Sequence, residues 1–104
     1  MARFDVHENP NPATAPAAPY LLDVQSDLLD ELATRVVVPL FRVETMGKAA
    51  SYLNPVFTVK STSVVMSTAE QAAVPVTALG LKVDTLKEHR DEIIGALNFL
   101  LTGF

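Results

Sequence analysis

The sequence contains no cysteine and no tryptophan, and positive charge is scarce. Without thiols the chain cannot form a disulfide scaffold, a thiolate zinc site, an iron–sulfur cluster or a cysteine nucleophile. Only 8 Lys+Arg stand against 12 Asp+Glu, which gives a formal net charge of -4. A negative chain repels polyphosphate and gains nothing from counterion release, so we do not expect it to bind DNA or RNA directly.

Long apolar runs and an apolar leader are also absent. The longest apolar stretches, such as Val36–Val38, are far shorter than the roughly 20 residues that cross a bilayer, and Asp5 stands where an export signal needs apolar residues. We therefore expect a cytoplasmic protein with no membrane partner. The 104 residues suit a single domain, residues 1–104, and a 49% hydrophobic content supplies enough material for a core.

The first part of the chain is expected to hold one strand and one long loop. Arg3–His7 alternates polar and apolar residues, which predicts a half-buried strand with Phe4 and Val6 on the inner side and the polar residues in solvent. The segment Glu8–Pro19 holds four prolines and is predicted to be a loop. A Pro-rich ligand for an aromatic groove is the weaker alternative.

The middle of the chain is typical of a small, curled antiparallel sheet. Arg35–Val43 gives the strongest strand signal, and Pro39 inside it favours a sheet edge, a bulge or a bend. Shorter strands are predicted at Val56–Val59, Val64–Met66 and Val74–Val76, the last closed by Gly80, with a short helix at Met46–Leu53.

Two adjacent leucines follow an acid-rich turn. Leu28 and Leu29 cannot both face one core if the segment is extended, so one of them would then be exposed. The favoured alternative is a short helical turn that tucks both leucines away. The acidic side chains around them lack the glycine and ligand pattern of a calcium loop, and we interpret them as solvated charge. They are Asp23, Asp27, Asp30 and Glu31.

The last segment has helical periodicity. Its apolar residues recur every three or four positions or at their sum, which predicts an amphipathic helix over Leu86–Leu101 that ends before Gly103. Thr85 and Glu88 have the spacing of a capping box. Gly95 inside the helix indicates either close approach of another backbone or a tolerated weakness.

The end of this helix carries more apolar surface than one packing face can cover. Phe99, Leu100 and Leu101 are consecutive and span about 200° around the helix. We therefore expect a contact with a second subunit or a partner protein at this end.

Residue patterns for catalysis or metal binding are weak. His7 and His89 are the only histidines, and neither has a second ligand at metal spacing. Gly47-Lys48 lacks the upstream glycine and the hydroxyl of a phosphate loop, and no G-x-S-x-G elbow accompanies Ser26 or Ser61. We expect no catalytic residue, no metal, no cofactor and no enzymatic activity.

Four segments together resemble the CcdB family, the gyrase-poisoning toxins of toxin–antitoxin modules. They are DVQSDLLD at Asp23–Asp30, VVVPL at Val36–Leu40, AVPVTALG at Ala73–Gly80, and the closing helix with Asn98 and Gly103. The resemblance runs in order through nearly the whole chain. It implies a mainly β fold, a small SH3-like barrel with a C-terminal helix, in a symmetric homodimer. The implied partners are the A subunit of DNA gyrase and a CcdA-like antitoxin.

The resemblance also implies which residues contact gyrase: Leu28 and Leu29 after the QSD turn, beside Asn98, Leu101, Thr102, Gly103 and Phe104 at the helix end. One position departs from the family's best known members, which carry tryptophan where this chain has Thr102. An aromatic ring can supply the central anchor of an interface, and threonine cannot replace it. Two alternatives therefore stay open: a dimeric, antitoxin-binding homologue that has lost gyrase poisoning, and an endoribonuclease resembling MazF, which shares the barrel.

Overall fold

The computed structural model describes residues 2–47, 50 and 52–103. Over these residues, strands make up most of the regular structure, and the longer of the two α-helices closes the chain. The strands are β1 (Asp5–Glu8), β2 (Tyr20–Asp23), β3 (Thr34–Arg42), β4 (Val56–Val59), β5 (Thr62–Met66), β6 (Ala72–Pro75) and β7 (Lys82–Thr85). The helices are α1 (Val43–Met46) and α2 (Arg90–Thr102).

The strands form one curled antiparallel sheet. Their order is β4-β5-β3-β2-β1-β7, and β6 adds to β3 beside β5. The inner face packs against α2 and against Leu86, four residues before α2 begins. The sheet thus wraps around the helix as a half-barrel. The expected fold class, mainly β with a C-terminal helix, is confirmed. The core side chains include Val6, Leu22, Val38, Leu40, Phe57, Val59, Val64 and Met66 from the strands, with Leu86, Ile93 and Ala96 from the helical end.

Strand β3 lies at the centre of the sheet. On one side it pairs with β2 over Val37–Leu40, and on the other it pairs first with β6 over Thr34–Val37 and then with β5 over Leu40–Arg42. Pro39 lies in the gap between these two pairings, and its carbonyl accepts a hydrogen bond from the Ser67 amide at 3.0 Å. A proline fits a central strand here because the sheet needs no donor at the change of partner.

The polar side of β1 is buried, and the prediction that it faces solvent was wrong. Asp5 and His7 are 3% and 4% exposed. Strand β1 is flanked by β2 and by β7, a strand that the sequence analysis does not predict. The Asp5 carboxylate lies 3.4 Å from the Lys82 ammonium, and His7 Nδ1 donates to the Gly80 carbonyl at 3.1 Å. These partners compensate the burial of the two groups in part, because Asp5 Oδ1 and His7 Nε2 have no hydrogen-bond partner among the described residues.

The helical segments begin at other positions than expected. Helix α2 starts at Arg90, after a 3-10 turn at Lys87–His89. Of the expected capping box, Thr85 Oγ1 accepts from the Lys87 amide at 3.4 Å, whereas the Glu88 side chain makes no reciprocal bond among the described residues. The other helix, α1, shares only Met46 with the predicted Met46–Leu53, a range in which Lys48, Ala49 and Ser51 fall outside the described residues. A Cβ placed on Gly95 would meet no atom of the described residues within 4 Å beyond the helix itself, so no other backbone in this part of the chain approaches it.

The Pro-rich segment forms a succession of turns between β1 and β2. Asn9 fixes its two ends, because its side-chain amide donates to the Ala18 carbonyl at 2.8 Å. The Arg42 amide at the end of β3 donates to the Ala17 carbonyl at 2.9 Å. In the part of the chain that the structure describes, no helix has both the length and the apolar character to span a membrane.

Candidate functional site

A buried arginine fixes the loop that carries the two adjacent leucines. Arg35 on β3 is 1% exposed, and its Nε donates to Asp23 Oδ2 at 2.8 Å. Its Nη1 donates to Asp30 Oδ1 at 3.1 Å. The guanidinium therefore joins the end of β2 to the far end of the loop. Asp23 is fully buried in this ion pair, so the interpretation of the acidic run as solvated charge was wrong for Asp23, whereas Asp27, Asp30 and Glu31 are exposed.

Gln25 and Ser26 satisfy the backbone of the same loop. The Gln25 side chain donates to the Leu29 carbonyl at 3.0 Å and accepts from the Val36 amide at 3.0 Å. Ser26 Oγ accepts from the Leu28 amide at 3.2 Å and caps a 3-10 turn at Asp27–Leu29. These side-chain hydrogen bonds hold the Asp27–Leu29 turn against β3 without using the leucine side chains of the turn.

The turn exposes both leucines. Leu28 is 94% exposed and Leu29 is 51% exposed. The expected helical turn is present, but the expectation that it tucks both leucines away was wrong. The side chain buried beside this turn is Arg35, with its ion pairs to Asp23 and Asp30.

The end of α2 displays the second group of predicted contact residues. Leu101 is 70% exposed, and Asn98 and Thr102 are also exposed. Gly103 ends the helix in the left-handed region at φ +79°, and its amide donates to the Phe99 carbonyl at 2.9 Å. Phe104, the last predicted contact, lies outside the described residues.

The structure separates the two groups within one chain. Leu28 lines a groove together with Lys87 and Arg90, so it lies beside the start of α2. Thr102 lies at the other end, about 18 Å along the helix axis at 1.5 Å per residue. The resemblance implies that Leu28 and Leu29 lie beside the helix end, and in a single protomer they do not.

Of the two histidines, one lies at the described surface and one is buried. His89 is half-exposed, its Nδ1 lies 3.2 Å from Glu92 Oε1, and its ring centroid is 5.0 Å from that of Phe57. The other histidine, His7, is buried in the sheet. Within residues 2–47, 50 and 52–103, no three His, Asp or Glu side chains cluster in a way that could hold a metal ion.

The sequence patterns miss Arg35, the residue that organises the loop. A lone arginine at the head of a β-branched strand, a few residues after an acidic run, is the signal that could have found it. Such a charge has to find a buried partner when its strand becomes central. The run that precedes β3 supplies that partner as Asp23.

Comparisons with known proteins agree with this fold. A family model described as "CcdB protein" matches residues 3–103. A solved structure described as "Endoribonuclease in complex with its cognate antitoxin from Mycobacterial species" is similar, with a TM-score of 0.77 over 97% of this chain and 94% of that chain. The two sequences are 14% identical, so the likeness concerns the fold alone.

Proposed function

Because the chain belongs to the CcdB family, whose members are toxins of toxin–antitoxin modules, we propose that it binds the A subunit of DNA gyrase and traps the cleaved gyrase–DNA complex. A CcdA-like antitoxin neutralises it. The observation that carries the proposal is the exposure of Leu28 and Leu101, at positions that the family resemblance assigns to gyrase contact.

Trapping of this kind requires binding energy and no bond-making by the toxin. Large apolar side chains that are exposed in the free protein supply that energy when a partner buries them. Leu28 is well suited to this role because the turn beneath it is fixed by the buried Arg35, so little conformational entropy is lost on binding.

The proposed active form is a symmetric homodimer. Phe99 and Leu101 are 39% and 70% exposed in the single chain, which agrees with the expectation that one packing face cannot cover this end of the helix. A groove of about 620 Å³ lies beside Phe99 and is also lined by Gly95 and Ala96. A dimer offers one helix end to each gyrase subunit.

Neutralisation by the antitoxin follows from the same surfaces. A partly disordered antitoxin segment that folds over the dimer would cover the exposed leucines and exclude gyrase. Coupled folding lets such a segment wrap a large surface.

A second candidate is an antitoxin-binding dimer that no longer poisons gyrase. Thr102 favours it, because its hydroxyl donates to the Asn98 carbonyl at 2.7 Å and its side chain offers a partner only a methyl group. An aromatic ring at this position could supply a stacked anchor that threonine cannot.

A third candidate is an endoribonuclease. The fold is similar to that of an endoribonuclease, and the exposed His89–Glu92 pair could act in general acid–base catalysis. The net charge of -4 weighs against RNA binding. Incubation of the purified protein with RNA tests this candidate, and intact RNA removes it.

A gyrase cleavage assay tests the leading proposal against the second candidate. Wild type, a chain truncated before Thr102, and Thr102→Trp are compared for cleaved DNA trapped by purified gyrase. The proposal expects trapping by wild type, its loss in the truncated chain, and stronger trapping by Thr102→Trp. If wild type traps no cleaved DNA but Thr102→Trp does, poisoning has been lost through this position.

Growth arrest on induced expression gives the corresponding test in cells. Arrest that disappears in a host with a target-site gyrase mutation supports the proposal. Arrest that persists in that host contradicts gyrase as the target.

A further inference from the structure

A groove with a positively charged rim lies between the Asp27–Leu29 turn and the start of α2. Its volume is about 410 Å³, and we call it the basic groove. The cations that line it are Arg3, Lys87 and Arg90, and the apolar side chains are Phe4 and Leu28. Ser26 and Asp27 complete the lining. The cations outnumber the one carboxylate of the lining by three to one in a chain whose net charge is -4.

The three cations of the basic groove are not neutralised by this chain. Within the described residues, the basic members of the ion pairs are Arg35, Lys82 and His89. Arg3, Lys87 and Arg90 have no carboxylate within 4.0 Å among the described residues. The groove therefore keeps an attraction for negative groups that the rest of the surface opposes.

Arg3 is held in position before any ligand arrives. Its Nε donates to the Val24 carbonyl at 3.0 Å, and its guanidinium carbon lies 5.0 Å from the centroid of the Phe4 ring. These contacts leave the two terminal nitrogens of the guanidinium as a fork suited to a carboxylate. A fixed cation loses less conformational entropy on binding than a free side chain does.

The backbone under Arg3 is strained. Phe4 has φ +73°, a region that bulky side chains rarely adopt. Hydrogen bonds enforce it on both sides, because the Phe4 amide donates to the Asp23 carbonyl at 2.6 Å and its carbonyl accepts from the Leu86 amide at 2.8 Å. Strain of this kind persists where surrounding structure over-determines it, and it clusters at ligand-binding positions.

We propose that the basic groove binds an acidic peptide segment of the antitoxin, with an aliphatic side chain of that segment packed on Leu28. The inference rests on the proposed function for the identity of the partner. Carboxylates of the segment pair with Arg3, Lys87 and Arg90, and Leu28 loses its 94% exposure. A segment bound in this way covers Leu28, one of the proposed gyrase contacts, so that neutralisation and target binding exclude each other.

Charge reversal separates the basic groove from the general charge of the protein. We expect Lys87→Glu and Arg90→Glu each to weaken antitoxin binding about 5- to 10-fold at low salt, measured by titration calorimetry with the full-length antitoxin. Lys60→Glu is the matched control, because it makes the same charge change in the β4–β5 turn, at the other end of the strand order from β7. It should bind as wild type does.

Added salt and substitution of Leu28 separate the ionic part of the interaction from the apolar part. Added salt should shrink the difference between wild type and Lys87→Glu, because exposed charges are screened. Leu28→Ala should weaken binding by a factor that salt does not change. Circular dichroism and urea unfolding verify that each variant is folded.

Three outcomes would overturn the inference. Equal affinities for wild type, Lys87→Glu and Arg90→Glu would remove the groove from the antitoxin interface while leaving the proposed function intact. A changed self-association of the free Lys87→Glu protein in sedimentation would assign the groove to a second copy of this chain. If wild type binds no antitoxin, the proposed function fails and the assigned occupant fails with it.

Discussion

The two surfaces that display leucines are held in different ways. The loop at Leu28 is attached to the sheet by side chains from outside the turn, chiefly Arg35 and Gln25. The end of α2 at Leu101 is held within its own last turn, by the Thr102 hydroxyl and the Gly103 amide. Both surfaces expose a leucine, but buried side chains of the sheet hold the first and hydrogen bonds within the helix hold the second. We infer that the loop keeps its shape as long as the sheet is folded, whereas the helix end can open alone.

The largest expected difference between the two surfaces concerns Arg35. Arg35→Met removes the partner of the fully buried Asp23 and should lower the free energy of unfolding by about 3–5 kcal/mol, measured by urea denaturation. Arg42→Met is the control, because among the described residues the Arg42 guanidinium bonds only to the Pro16 carbonyl near the surface. If both variants lose the same small amount, the loop is not anchored as described. If Arg35→Met does not fold, Arg35→Lys, which keeps the charge, should restore folding.

A matched pair of side-chain hydrogen bonds sharpens the comparison. Gln25→Leu leaves the Val36 amide and the Leu29 carbonyl without their buried partner, and should cost about 1–3 kcal/mol of unfolding free energy. Thr102→Val removes one exposed bond and should cost at most about 0.5 kcal/mol. Thermal and urea unfolding measure both. Equal losses would mean that the two surfaces are held alike.

Truncation of the leucines separates binding from stability. Leu28→Ala and Leu101→Ala should each weaken binding to gyrase A by about 2 kcal/mol, the loss typical of an interface hot spot. Their unfolding free energies should stay within about 0.5 kcal/mol of wild type, because both side chains are exposed. Leu81→Ala is the control, since Leu81 is 74% exposed and belongs to neither surface. A loss of binding in Leu81→Ala as large as in the other two would refute the assignment.

Substitution by alanine at two glycines of the C-terminal segment should change the stability of the protein in opposite directions. Gly103→Ala forces an alanine into φ +79° and should destabilise the protein by about 1 kcal/mol. Gly95→Ala places a methyl in open space inside α2 and should stabilise it by about 0.5–1 kcal/mol. Thermal unfolding measures both changes. Destabilisation by Gly95→Ala would indicate that a second chain already lies against this face.

The sequence predicts the sheet well where a strand has one apolar face or one dense apolar run. The predicted strand at Val56–Val59 matches β4, and the prediction at Arg35–Val43 matches β3 to within one residue at each end. It is less successful for β1, where alternation assigns Asp5 to solvent. Burial of Asp5 depends on β7 and its Lys82, a contact distant in sequence that periodicity does not encode.

The candidate site is predicted in part for the same reason. The family resemblance selects Leu28 and Leu101, and the structure exposes both. Their separation within one chain could not be predicted, because it depends on which end of α2 lies against the Asp27–Leu29 turn. The contribution of Arg3 to the basic groove could not be predicted either, because the sequence does not reveal the left-handed conformation of the neighbouring Phe4.

The central position of β3 has a further consequence for how the molecule opens. Three strands pair with it, and Arg35 at its start carries the Leu28 loop. Amides along β3 should therefore be among the slowest in the protein to exchange with deuterium, since releasing them separates the sheet. A protease acting on the native protein should therefore cleave the end of α2 well before it cleaves the Leu28 loop.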